Sequence, residues 1–297
     1  MLHVCVFALE KHEHADYQES PTELYHGQSL TRQHMHMDQS AIEQAATILR
    51  DARINHRRID ALPEQCRPQN IDDGYCIQEE LVRLMDLPVA GWKVGSTNKR
   101  AQELVGTTEP FSARLLGPNF YHHPAVLDGN AFFMRALEPE FAFRLGSDLD
   151  PANVPYSREQ VLEAIETLHP AIEISDSRFN DWSAVGAASL IADNGNDGGF
   201  VLGNGIEDWR DLDLPARPVS LIVNEEVIAQ GSGANVLGDP ILALIWFIND
   251  RARRGDRLLA GQAITTGSCT NVVMAGESDN VKADFGDLGV VELSFQA

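Results

Sequence analysis

The segment Leu137-Glu138-Pro139-Glu140-Phe141-Ala142-Phe143 sets two carboxylates two residues apart inside an otherwise apolar run. A strand sends residues i and i+2 to one face, so Glu138 and Glu140 are predicted to project side by side. Glu173 stands in a similar run, Ala171-Ile172-Glu173-Ile174. Adjacent acids repel, and burying either as an anion costs several kcal/mol unless something positive compensates. Two arrangements satisfy the pattern. In one, Glu138 and Glu140 line the solvated face of an edge strand while Leu137, Phe141 and Phe143 form core. In the other, a hard divalent cation compensates, since three carboxylates suit octahedral oxygen coordination of Mg²⁺ or Mn²⁺ with positions left for substrate and water.

A chain of 297 residues can bury one large core. A formal charge of −21 leaves no basic stripe for phosphate contacts, which argues against nucleic-acid binding. No apolar run approaches the roughly 20 residues that span a bilayer. The stretch 3–9 lacks a basic leader and a cleavage site, so a cytoplasmic protein without membrane partners is expected. Cys5, Cys66, Cys76 and Cys269 have no CxxC spacing and read as free thiols. Residues 1–36 read as a disordered extension, with no sustained apolar period, and nothing completes a ligand set for His34 and His36. Met37 then reads as the effective start.

Ser40 with Glu43 matches a capping box before a helix over 41–53, and a second helix is expected over 72–86, ahead of Pro88. From there the pattern turns to strands. Residues 90–95 read as a strand, followed by Thr97 capping a helix that stops at Gly106. The Ser157/Gln160 capping box opens a helix over 158–168 that leads into the Glu173 strand. Ile191-Ala192-Asp193-Asn194-Gly195 and Gly198-Gly199 form a glycine-rich bend, either an ordinary turn or a place where backbone approaches a ligand. A hairpin is expected around Asn224-Glu225-Glu226, a helix from Asp239-Pro240 to Gly255, and closing strands over 262–266, 280–285 and 289–295. The class is α+β, a mixed β-sheet roll, with no βαβ repetition and no GxGxxG or P-loop. The expected parts are the extension (1–36), a helical portion (37–88) and a β-roll catalytic domain (89–297).

Five motifs occur together and in order: Gly91-Trp92-Lys93-Val94-Gly95-Ser96-Thr97, Leu137-Glu138-Pro139-Glu140, Ile172-Glu173-Ile174, Ala192-Asp193-Asn194 and Thr265-Thr266-Gly267-Ser268. In this set, over residues 40–295, the chain resembles the fumarylacetoacetate hydrolase superfamily, in its 2-hydroxypenta-2,4-dienoate hydratase and 4-oxalocrotonate decarboxylase branch. The resemblance implies a β-roll with an N-terminal helical portion, a homo-oligomer, and Mg²⁺ or Mn²⁺ held by Glu138, Glu140 and Glu173 against a small 2-oxo or 2-hydroxy-dienoate acid. Asp193 and Ser268 are the implied substrate-binding residues. Three glutamates against a divalent cation call for a further positive group, and Lys93 is the candidate. Gly91 and Gly95 are expected to leave ligand room beside it, and burial could lower its pKa enough for proton transfer. Two departures stand out. Where hydratase-type members often carry Asp-Phe-Gly after the Glu-Pro pair, Glu109-Pro110 is followed here by Phe111-Ser112-Ala113, and Gly261 is followed by Gln262 rather than Asp. The first removes a carboxylate near the substrate tail, a role Glu109 could take.

The implied function is a metal-dependent hydro-lyase that adds water to a 2-hydroxy-2,4-dienoate, giving a 4-hydroxy-2-oxo acid in aromatic meta-cleavage catabolism. Decarboxylation of 4-oxalocrotonate shares the enolate-stabilising step. An acylpyruvate C–C hydrolase lacks an evident extra His/Glu dyad, and a non-catalytic subunit of a hydratase/decarboxylase assembly is the reading from outside enzymology.

Overall fold

The computed structural model describes residues 37–297. The extension 1–36, with His34 and His36, lies outside them. Helix α1 (Gln39–Ile54) is capped by Asp38, whose carboxylate accepts from the Ala41 N–H and the Ser40 hydroxyl, each at 2.8 Å. The Ser40/Glu43 box is therefore not the cap: an ionised acceptor two residues earlier outcompetes a hydroxyl for the free N–H groups. Helix α2 (Ile71–Met85) opens at Asn70 and stops at Asp86, φ 51°, ahead of Pro88. After strand β1 (Val89–Gly95), helix α3 (Lys99–Val105) is capped by Asn98, displacing the expected Thr97, and ends at Gly106, φ 74°.

The strands follow as β2 (Phe111–Leu116), β3 (Phe120–His122), β4 (Ala125–Asp128) and β5 (Ala136–Leu145). The Ser157/Gln160 capping box forms, but helix α4 (Arg158–Ala164) is shorter than expected. Ile165 onward belongs to strand β6 (Ile165–Ser175), because pairing with β5 runs from Ile165 opposite Leu145 to Ser175 opposite Ala136. Helix α5 (Gly186–Ala192) leads through the Asn194 turn to β7 (Asp197–Leu202). The hairpin is β8 (Pro218–Val223) and β9 (Glu226–Ser232), joined by left-handed Asn224 and Glu225. Helix α6 (Pro240–Arg253) and strands β10 (Ala263–Ser268), β11 (Val273–Met274), β12 (Asn280–Asp284) and β13 (Val290–Gln296) complete the chain.

The larger sheet runs β2-β1-β10-β5-β6-β7-β3, with β11 also on β5, and it is mixed: β1 pairs β10 in parallel whereas β5 is antiparallel to β10 and β6. It curls until β2 packs back against β7. The smaller sheet is β4-β13-β12-β8-β9. Alternation along β5 and β6 gives the large sheet two distinct faces. One carries Phe141, Phe143, Ile172 and Ile174 into the main core, where Phe141 meets Phe285 of the small sheet edge to face. The other carries the glutamates beside a small apolar cluster of Leu115, Ala142, Ala171, Phe200 and Leu202. Helices α1, α2 and α5 share a second core with Phe111 and Phe179. Among the described residues, no helix is long and apolar enough to cross a membrane.

Candidate active site

Strand register assembles the site. Glu138 lies directly opposite Glu173 across β5 and β6, and Glu140, two residues on, shares their face. Across the neighbouring strands Lys93 pairs with Thr265, which pairs with Ala142, so the lysine reaches the same face from β1. Glu140, Glu173 and Lys93 are 1%, 2% and 3% exposed, so these strands are not a solvated edge. Glu138 keeps a partly accessible side chain at the rim of the group.

Each acid is held by specific donors. Glu140 Oε2 accepts from the Thr265 hydroxyl and from the Gly267 N–H at 2.8 Å. Gly267 has φ 106°, and a Cβ there would lie 1.9 Å from Thr97 Oγ1. Glu173 Oε1 accepts from the Ser175 hydroxyl at 2.7 Å and from the Lys93 ammonium, whose Nζ also donates to the Gly195 carbonyl at 2.7 Å. Desolvation, then Glu173, raises the Glu138 carboxyl to about 7 against the pull of Lys93 and Ser175. Desolvation, Glu173 and Glu138 together push Glu140 well above the carboxylate range. For Lys93, burial acts to depress the pKa, but Glu173 and Glu138 outweigh it and hold the ammonium above its ordinary value. The condition for a lowered lysine is therefore not met: with two acids facing it, the charged form is favoured.

The other expected residues fall differently. Asp193 is fully buried and clamped: its carboxylate accepts from Arg178 N–H at 2.9 Å, from Arg178 Nε at 3.1 Å and from Arg53 Nη2 at 3.2 Å. It holds two arginines, not open space for a substrate. Ser268 pairs with Glu140 across β10 and β5 and donates to the Thr270 carbonyl at 3.0 Å. Glu109 is raised by desolvation and by Asp250, with Arg254, Arg253 and Asp72 as its other charged neighbours. Among the described residues no hydrogen bond joins its carboxylate to Lys93 or the glutamates. Gly91 and Gly95 leave no ligand room: a Cβ at Gly91 would meet the Ala263 carbonyl at 2.2 Å, and one at Gly95 the Phe111 ring at 2.7 Å. They are strand-packing glycines. Ser175, Arg53, Arg178 and Asp197 were not singled out from sequence, and Thr265 stood there only as part of the Thr265-Thr266-Gly267-Ser268 motif. Ser175 carried a signal, the same i+2 spacing from Glu173 that marks Glu140 from Glu138.

Among the described residues, no group of three His, Cys, Asp or Glu side chains is already arranged to hold a metal ion. The acids are instead engaged by Lys93, Ser175, Thr265 and Gly267. Their chemistry nonetheless suits a hard cation: three carboxylates share one face, two are pushed up by burial and then by mutual repulsion, and the Lys93 ammonium faces them.

No family model matches the chain. It is similar to the 2-keto-4-pentenoate hydratase of Paraburkholderia xenovorans (strain LB400), 30% identical over 258 residues covering 86% of this chain and 95% of that protein. It is equally similar to the 2-hydroxyhexa-2,4-dienoate hydratase of Comamonas testosteroni, 30% identical over 263 residues, covering 87% and 98%. Its fold matches the 4-oxalocrotonate decarboxylase from Pseudomonas putida G7 solved with magnesium and adipate, with TM-score 0.81 and 24% identity over 88% of this chain and 99% of that one. The chain belongs to the family of the 2-keto-4-pentenoate hydratases, and it has the fold of fumarylacetoacetate hydrolase family proteins.

Proposed function

We propose that the chain is a metal-dependent hydro-lyase that adds water to a 2-hydroxy-2,4-dienoate to give a 4-hydroxy-2-oxo acid. The observation that carries this reading is the face on which Glu138, Glu140 and Glu173 meet one buried ammonium. The names of the most similar relatives support the reaction, and the magnesium in the fold neighbour supports a divalent cation, Mg²⁺ or Mn²⁺. Glu138, Glu140 and Glu173 would hold that cation, which when bound supplies a Lewis acid for the carboxylate and 2-oxo oxygens of the substrate.

The chain's own residues do the rest. Ser175 fixes Glu173, and Thr265 with the Gly267 N–H fixes Glu140, so the ligands are oriented before substrate arrives. The Lys93 ammonium faces the position where enolate charge develops and stabilises it. The apolar cluster of Leu115, Ala142, Ala171, Phe200 and Leu202 on the same face limits water at that end. Phe111 is 6% exposed, so the position after Pro110 supplies packing and no carboxylate. The same reading takes residues 37–88 and 89–297 as the helical and catalytic parts and the chain as a homo-oligomer, which light scattering tests.

The deciding experiment incubates purified protein and Mg²⁺ with 2-hydroxypenta-2,4-dienoate and, separately, with 4-oxalocrotonate, following dienol loss and CO₂ release. Dienol loss with water addition, abolished by a chelator and restored by Mg²⁺, is the expected result. CO₂ release from the second substrate alone would reassign the chain as a decarboxylase, and no turnover of either would leave it a non-catalytic subunit.

A further inference from the structure

The turn between α5 and β7 places three consecutive residues in the left-handed region: Asn194 at φ 53°, Gly195 at 62° and Asn196 at 59°. Asparagine tolerates this conformation better than most side chains, but such a run persists only where its surroundings over-determine it. Those surroundings are on both sides. Asn194 is 1% exposed, and its amide makes two bonds to one backbone residue: Oδ1 accepts from Arg114 N–H at 2.9 Å and Nδ2 donates to the Arg114 carbonyl at 2.8 Å. That is the exchange an additional strand residue would make with β2, the end strand of the large sheet. Behind it, Asp193 is gripped by Arg178 and Arg53. Gly195 then has no room for a side chain, since a Cβ would lie 2.9 Å from that of Ala113 and 3.2 Å from the Phe111 ring. Its carbonyl is what meets Lys93 Nζ at 2.7 Å.

We infer that Asn194 is a positioning residue for Lys93: by acting as a surrogate strand residue on β2 it fixes the Gly195 carbonyl that aims the ammonium. A lysine has three N–H donors on a flexible stem. Among the described residues Glu173 and Gly195 are the acceptors of Lys93, which leaves one N–H for a substrate oxygen. Without the Gly195 carbonyl the ammonium would rotate about Glu173, and the remaining donor would lose its direction. The inference rests on the proposed role of Lys93 for its effect on turnover but not for its effect on the ammonium itself.

The test uses the full chain labelled with ¹⁵N at lysine Nζ. The lysines are Lys11, Lys93, Lys99 and Lys282, and the Lys93→Met variant assigns the Lys93 resonance by its loss. In the unaltered protein the buried Lys93 ammonium should give a signal protected from solvent exchange. Asn194→Ala should shift that signal and speed its exchange, leave Mg²⁺ affinity by calorimetry unchanged, and lower kcat by roughly 10-fold or more with KM within about 2-fold. Asn194→Gly keeps access to the left-handed turn while deleting the amide, and serves the same comparison if the alanine variant does not fold. An unchanged Lys93 signal in either folded variant overturns the inference, whatever happens to turnover. A changed signal with unchanged kcat upholds the positioning and instead removes Lys93 from the proposed mechanism.

Discussion

Glu138, Glu140 and Glu173 are single carboxylates whose meaning comes from one another. Replacing each by Gln keeps shape and hydrogen bonding while removing one of three charges, so each variant should bind Mg²⁺ more weakly and lose most turnover; calorimetry that finds undiminished affinity in all three would dismiss the metal site. On the proposed role of Lys93 toward developing charge, Lys93→Met should cut kcat on the order of 10²-fold with metal affinity largely kept, and Lys93→Arg should retain part of it. Near-normal kcat in the methionine variant would leave the ammonium without a catalytic role. Asp197 offers a test of electrostatics in stability. It is 2% exposed, its Oδ2 has no hydrogen-bond partner among the described residues, and Arg53 Nη1 is 3.9 Å away. Desolvation raises it to about 6 from 3.8, although Arg53, Lys93 and Arg178 pull it down. The folded pKa is the higher one, so its contribution to stability is full below pH 3.8 and is lost as pH rises through about 6. That difference is worth roughly 3 kcal/mol. Asp197→Asn should therefore gain stability relative to the parent between about pH 4 and pH 7, by at most that amount. Denaturation curves whose difference stays constant across this range would refute the assignment. At this scale the sequence was a good guide to the acids, because their i and i+2 spacing survives in any strand. Arg53, Arg178 and Asp197 left no such trace: they meet from α1, the β6 end and β7 only after folding.

Elements were legible where a local signal had no rival. The Ser157/Gln160 box forms as read because both bonds are made within four residues. Ser40 and Thr97 lost their capping roles to neighbours one or two residues away, Asp38 and Asn98, which present a better acceptor to the same N–H groups. The α4 end moved further, since Ile165 and Thr167 are β-branched and β5 offers them a partner along its whole length. Strand β10 carries a constraint that can be checked directly. Gly267 combines φ 106° with contact against Thr97, and its N–H holds Glu140. Gly267→Ala should cost about 1–3 kcal/mol from backbone strain alone, plus the displacement of Thr97, and should weaken Mg²⁺ binding through Glu140. A variant with an unchanged melting temperature and metal affinity would show that β10 absorbs the side chain elsewhere.

For the whole molecule, residues 1–36 carry no sustained apolar period that could supply a packed core, and Met37 packs against the helical core. A protein beginning at Met37 should accordingly keep its melting temperature, oligomeric state and turnover; a clear fall in any of them on removing residues 1–36 would show that the extension contributes contacts. The helical portion is not separable in the same way. Helices α1 and α2 share their core with α5 and Phe111, so cutting at residue 88 would expose apolar surface on both pieces. What the sequence by itself determined was the mixed class and the strand-borne acids, since alternation and motif order are properties of short stretches of chain. What only the tertiary structure decided was which charges meet. The register of β5 on β6 put Glu138 opposite Glu173, the curl of the sheet brought β2 to β7, and the left-handed turn at Asn194 delivered a carbonyl to Lys93. Each joins residues far apart in the chain, and their energies depend on burial and mutual charge, which exist only once the sheet has closed around them.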